Sequence, residues 1–254
     1  MSAAIHISLA AEKVFEIGGL SVTNSMIAST IGSLIILGLF LAAAKSVSLQ
    51  PKGRLAMAVE SVVEMILNLI EQVTLDREKA QKFFPILMTF FMFILVNNWL
   101  GLLPGFGSIT IKTAEGAVPL FRGATADLNT TLALAAMSVV ATHIYSIQKL
   151  GLFRHLGKYF TWNPVMTFVG ILELVSDLSK AISFSFRLFG NIFAGEVLLV
   201  VISFLAPVMA PLPFFGLELF VGLVQALVFT MLTLVFLEIA TAAHGHEEAH
   251  EAAH

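Results

Sequence analysis

Apolar positions run through this 254-residue chain in long, nearly unbroken stretches rather than in the alternation of strands or the stripes of soluble helices. Crossing a hydrocarbon core about 30 Å thick takes roughly 20 apolar residues as a helix. Five stretches qualify: 25–44, 83–103, 127–148, 164–205 and 213–243. The last two exceed one crossing. At about 1.5 Å per residue they must tilt strongly, bend, or run partly along the membrane plane. Between them "APVMAPLPF" carries Pro207, Pro211 and Pro213, which prevent one continuous helix. They are expected to fold back as a hairpin of long, tilted helices.

Residues 54–75, "RLAMAVESVVEMILNLIEQVTL", follow a different rhythm. Glu60, Glu64 and Glu71 share one helical face, while Val59, Val62, Val63, Ile66, Ile70 and Val73 largely fill the other. Such a helix suits the membrane interface or a groove on partner subunits. The fold class expected is therefore an all-α membrane protein, with five transmembrane helices plus one interfacial amphipathic helix. The whole chain, 1–254, forms a single integral membrane domain that ends in a tail at 244–254.

Composition narrows the class further. With 57% hydrophobic and 12% charged residues, an ordinary soluble enzyme is excluded. A net charge of −3 leaves no basic face for nucleic acid. The absence of cysteine removes disulfides, thiolate metal sites and thiol nucleophiles. The N-terminal "MSAAIHISLAAEKVFEI" lacks the basic and apolar regions of a cleavable signal peptide. His246, His250 and His254 recur at helical spacing in the tail but read as solvated, so no metal and no cofactor is expected.

Basic residues set the orientation. Lys45, Lys52, Arg54, Arg77, Lys79 and Lys82 lie in one loop region, and Lys149, Arg154 and Lys158 in another. The opposite side carries only Lys13, Lys112 and Arg122. Both basic regions should face the cytoplasm, with the N-terminus periplasmic and the C-terminal tail cytoplasmic.

The stretch 164–205 nevertheless contains Glu173, Asp177, Lys180, Arg187 and Glu196, and 213–243 contains Glu218 and Glu238. Ionisable residues within spans mark ion pathways or internal pairs. Asp177 and Lys180 have i,i+3 spacing and can pair, and Glu238 sits where it can snorkel. Arg187 has no such escape. Its same-face neighbours are Ser183 and Asn191, and Glu196 lies nine residues on, about 180° round the helix. On the next helix, Glu218 and Gln225 share a face. Antiparallel packing would bring Gln225 towards Arg187 and Glu218 towards Glu196. A permanently charged guanidinium flanked by carboxylates that gain and lose protons is what a proton path with a fixed electrostatic barrier requires. His143 and His155 read as structural.

At these residues the chain resembles subunit a of the F-type ATP synthase, in its bacterial and mitochondrial-like form. The likeness is carried by "ADLNTTLALA" at 126–135, "LELVSDLSKAISF" at 172–184, "SFSFRLFGNIFAGE" at 183–196 and "LVQALVFTMLTLVFL" at 223–237, in that order. The resemblance implies a non-catalytic, proton-translocating subunit of the bacterial inner membrane. Its partners would be a ring of c subunits, b-type stator subunits, the F1 sector through the complex, and membrane lipids. It implies that Arg187 favours the ionised carboxylate of a passing c subunit and blocks proton leak between two offset half-channels. Asn191 and Gln225 would be its polar neighbours, and Glu196 the acid of the half-channel reached from outside. Ser183, Lys180, Glu173, Asp177, Asp127 and Asn129 match supporting polar positions. Where relatives pair an acid with an imidazole, this chain has Glu196 and Glu218, so a close carboxyl pair is expected to relay protons instead. A secondary transporter with an intramembrane arginine as substrate site is the competing class. It would predict repeated halves and broken helices at matching positions, and neither is visible.

Overall fold

The computed structural model of the chain describes residues 10–45, 54–103, 106, 109–113, 116–157, 159, 164–206 and 209–242. The tail expected at 244–254, with its histidines, lies outside the described residues, as do Lys52, Lys158 and Pro207. The helices are α1 (Asn24–Lys45), α2 (Arg54–Thr74), α3 (Arg77–Gly101), α4 (Leu128–Leu150), α5 (Leu152–Gly157), α6 (Pro164–Leu205) and α7 (Pro211–Ala242). Five of them, α1, α3, α4, α6 and α7, are long and apolar enough to cross a membrane.

Local chemistry sets the helix starts. α3 begins six residues before the apolar stretch at 83–103, because Asp76 caps it by accepting from the backbone N–H groups of Glu78 and Lys79. The charged first turn is helical although hydropathy does not mark it. α7 opens on Pro211, whose missing N–H would have had no partner in the first turn.

Two short hairpins interrupt the all-helical expectation. β1 (Lys13–Ile17) pairs antiparallel with β2 (Leu20–Thr23), and β3 (Thr110–Thr113) with β4 (Gly116–Pro119). The first turns on Gly18 and Gly19, both at positive φ (58° and 86°), as a two-residue hairpin loop demands. These hairpins, a 3-10 turn at Ala124–Ala126, the end of α6 and the start of α7 mark one end of the bundle, the hairpin end. The start of α3, α5 and the start of α6 mark the other, the basic end.

α3 runs through the core. Leu87, Phe91 and Ile94 are buried against Phe229, Leu234 and Leu237 of α7, Leu134 of α4, Leu188 of α6, and Ile66 and Ile70 of α2. Buried hydroxyls and amides cross-link the helices: Ser138 with Thr233 at 2.8 Å, Thr131 with Ser185 at 3.0 Å, and Thr125 with Asn98 at 2.6 Å. In an apolar surround each such bond is worth about 0.6–2 kcal/mol. α6 differs from the rest. Phe168, Leu172, Leu178 and Phe186 stand exposed along it, so among the described residues one face of the longest helix has no cover.

Candidate functional site

Arg187 stands on that uncovered face, with Ser183 and Asn191 exposed on either side of it. Among the described residues it makes no hydrogen bond or ion pair. Glu173, Asp177, Lys180, Ser183, Arg187 and Asn191 recur at intervals of three or four, so one polar stripe climbs α6. The Asn191 amide donates to Gln225 Oε1 of α7 at 2.8 Å. The partner of the buried Gln225 is thus Asn191, one turn beyond Arg187.

Towards the hairpin end, α3, α6 and α7 enclose a cavity of about 410 Å³, lined among others by Asn97, Asn98, Glu196, Ser203 and Glu218. Glu218 is 7% exposed, and its carboxyl fills the space that a Cβ on Gly195 would take. Glycine before Glu196 is therefore what lets a carboxyl from α7 nest against the backbone of α6. Glu196 and Glu218 share this one cavity.

Arg122 also belongs here, although sequence reading had counted it only as a loop charge. It is 7% exposed, its Nη1 donates to Ala10 O at 2.7 Å, and its Nε lies 3.9 Å from Glu196 Oε2. Its guanidinium also sits over the Phe193 ring at 5.9 Å. Asn97 and Asn98 were likewise passed over, being hidden in the apolar run of α3. Asn98 accepts from Thr125 and donates to Gly222 O at 3.1 Å, while Asn97 Oδ1 is buried without a partner among the described residues.

Asp127 and Asn129 line neither this cavity nor the one below. Asp127 is the N-cap of α4, accepting from Asn129 N and, at 2.8 Å, from the buried Ser25 hydroxyl of α1.

Towards the basic end, a smaller cavity of about 50 Å³ is lined by His143, His155, Tyr159, Glu173, Asp177 and Lys180, with Ser146 and Phe236. Asp177 and Lys180 pair at 2.8 Å, as their spacing suggests. Arg187 lies between the two cavities along α6. Glu238 does not face either of them and binds Lys79 of α3 at 2.5 Å.

Residues 26–238, from the first turn of α1 to within α7, match the family model of the ATP synthase A chain. The chain belongs to that family. Members are subunit a of the F-type ATP synthase, so the five apolar helices are those of a multi-pass membrane subunit of the Fo sector, engaged in proton transport and ATP synthesis. The subunit associates with the other components of that complex.

Proposed function

We propose that the chain forms two offset half-channels against a ring of c subunits, with Arg187 between them. The observation that carries this reading is the position of Arg187: an exposed cation with a polar cavity on each side of it along one helix. A charged residue at the centre of a spanning helix costs about 2.5–3.5 kcal/mol on insertion scales. An ionised carboxylate on a passing c subunit offsets that cost, and the fixed positive charge keeps protons from crossing directly between the cavities.

Protons from outside enter the hairpin-end cavity and reach the c ring by way of Glu196 and Glu218, with Asn191 and Gln225 beside Arg187. After rotation they leave through the basic-end cavity along Glu173, Asp177, Lys180 and Ser183. The lysine-rich end faces the cytoplasm of a bacterium, with the N-terminus periplasmic, the C-terminus cytoplasmic and α2 at the membrane interface. b-type stator subunits hold the subunit still while the ring turns, and the F1 sector performs the catalysis.

The chain has no cysteine, so an introduced one is unique in it. Asn191→Cys should form a disulfide with a cysteine placed next to the ring carboxylate of the c subunit. Leu34→Cys, exposed on α1, should not. Cross-linking from Leu34 and none from Asn191 would place the ring on the wrong face.

A further inference from the structure

The basic-end cavity gathers rings from three separate parts of the chain: His143 of α4, His155 of α5 and Tyr159 beyond it. They meet edge to face, with centroids 5.4 Å apart for the two histidines, 5.6 Å for His155 and Tyr159, and 6.4 Å for His143 and Tyr159. A space of about 50 Å³ among polar groups has room for a few water molecules.

The two imidazoles are held differently. The Ser146 hydroxyl donates to Ala240 O at 3.2 Å and lies 3.1 Å from His155 Nδ1. A hydroxyl has a single proton to give, so His155 Nδ1 is the donor to Ser146, and this buried ring is pinned. His143 is 32% exposed, and its Nε2 stands 3.8 Å from Asp177 Oδ2, within reach of an ion pair but beyond a hydrogen bond. Asp177 meanwhile accepts from Lys180 Nζ at 2.8 Å and from the Tyr159 hydroxyl at 3.3 Å. Burial first, then the charges of Asp177 and Glu173, push the Tyr159 phenol well above its ordinary range. The phenol keeps its proton and donates it to Asp177.

We propose that His143 is a proton-exchanging residue of this cavity. Its Nε2 takes a proton from cavity water, Asp177 balances the imidazolium, and the proton returns to water at the foot of the α6 stripe. Lys180 lies over the Phe236 ring at 4.8 Å, and Phe236 stacks on the buried Phe184 at 5.4 Å. These rings close the way into the bundle core, so the route continues along the exposed face of α6. From Lys180 to Arg187 is seven residues, about 10 Å. The groups facing His143 are Glu173, Asp177 and Lys180 from α6, His155 from α5, and Tyr159.

The inference rests on the half-channel reading of Arg187, and its test separates the two. The intact complex in inside-out vesicles exposes the basic end to the bath and the hairpin end to the lumen. ATP-driven proton pumping is measured while the bath is stepped from about pH 5.5 to 8.5, the range over which imidazole changes charge, and then while the lumen is stepped. His143→Gln is expected to lose the inflection against bath pH and to keep the parental response to lumen pH. His155→Gln should scale the rate equally at every pH. A His143→Gln profile that superimposes on the parent, or is only scaled, overturns the proposal; His143→Asn takes its place if the first variant does not assemble. With Arg187→Ala inactive, an unmoved His143→Gln profile overturns the role of His143 alone. Parental pumping by Arg187→Ala overturns the half-channel reading and this proposal with it.

Discussion

The carboxyl of Glu218 occupies the space that a side chain on Gly195 would fill. A glycine on one helix thus fixes where an acid from the next one stands, beside Glu196 and within one cavity. Gly195→Ala must push that carboxyl aside. Proton flux is expected to drop on the order of tenfold, the effect of about 1.4 kcal/mol on a barrier. Gly38→Ala, where an added Cβ meets nothing within 4 Å, should leave flux unchanged. Pumping normalised to assembled complex checks both.

The same cavity predicts the outcome of removing its acids. Glu196→Gln and Glu218→Gln keep the shape of each side chain and remove the proton site. Each should slow proton delivery from the hairpin end more than it reduces assembly. Parental flux in the double variant at several lumen pH values would exclude the relay.

Arg122 ties this cavity to the N-terminal segment through Ala10 O and faces Glu196. Arg122→Gln removes a buried charge whose partner then stands alone, and flux should fall several-fold. Arg122→Lys should restore part of it, because the charge returns without the planar fork that reaches both partners. Equal flux in Gln and Lys variants would show that the charge has no part.

Asp127 behaves otherwise because it is a helix cap. Asp127→Ala should cost about 0.5–2 kcal/mol of stability, seen as a lower dissociation temperature of the subunit from the complex. The protons moved per ATP in complexes that do assemble should not change. Uncoupled pumping in fully assembled Asp127→Ala complexes would contradict the structural role.

Much of this arrangement was legible in the sequence, for physical reasons. Long apolar runs have one solution in a bilayer, and Pro211 ends the loop before α7 because proline is at home only in a first turn. Chain direction alone sends Glu196 and Glu218 to the same end of the bundle. Other features left no such trace. Arg122 sits in a loop, where counting charges treats every arginine as solvated, and only its burial shows otherwise. Asn97 and Asn98 are two polar residues in an apolar run, with no spacing to link them to Thr125 or Gly222. His143, His155 and Tyr159 come from separate elements, so their meeting depends on how α4, α5 and α6 pack. Gln225 was expected near Arg187, but which amide it bonds depends on the register of α6 against α7, which periodicity does not set to within a turn.

The barrier role of Arg187 is tested most directly by measuring passive proton leak and ATP synthesis together in vesicles carrying Arg187→Ala. The account predicts that synthesis is abolished while the complex still assembles, and that a leak appears which a reagent modifying the c-ring carboxylate blocks. Arg187→Lys should also fail to synthesise, since a compact ammonium lacks the guanidinium fork and gives up its proton when desolvated. Synthesis near the parental rate in Arg187→Ala, with no leak, would contradict it.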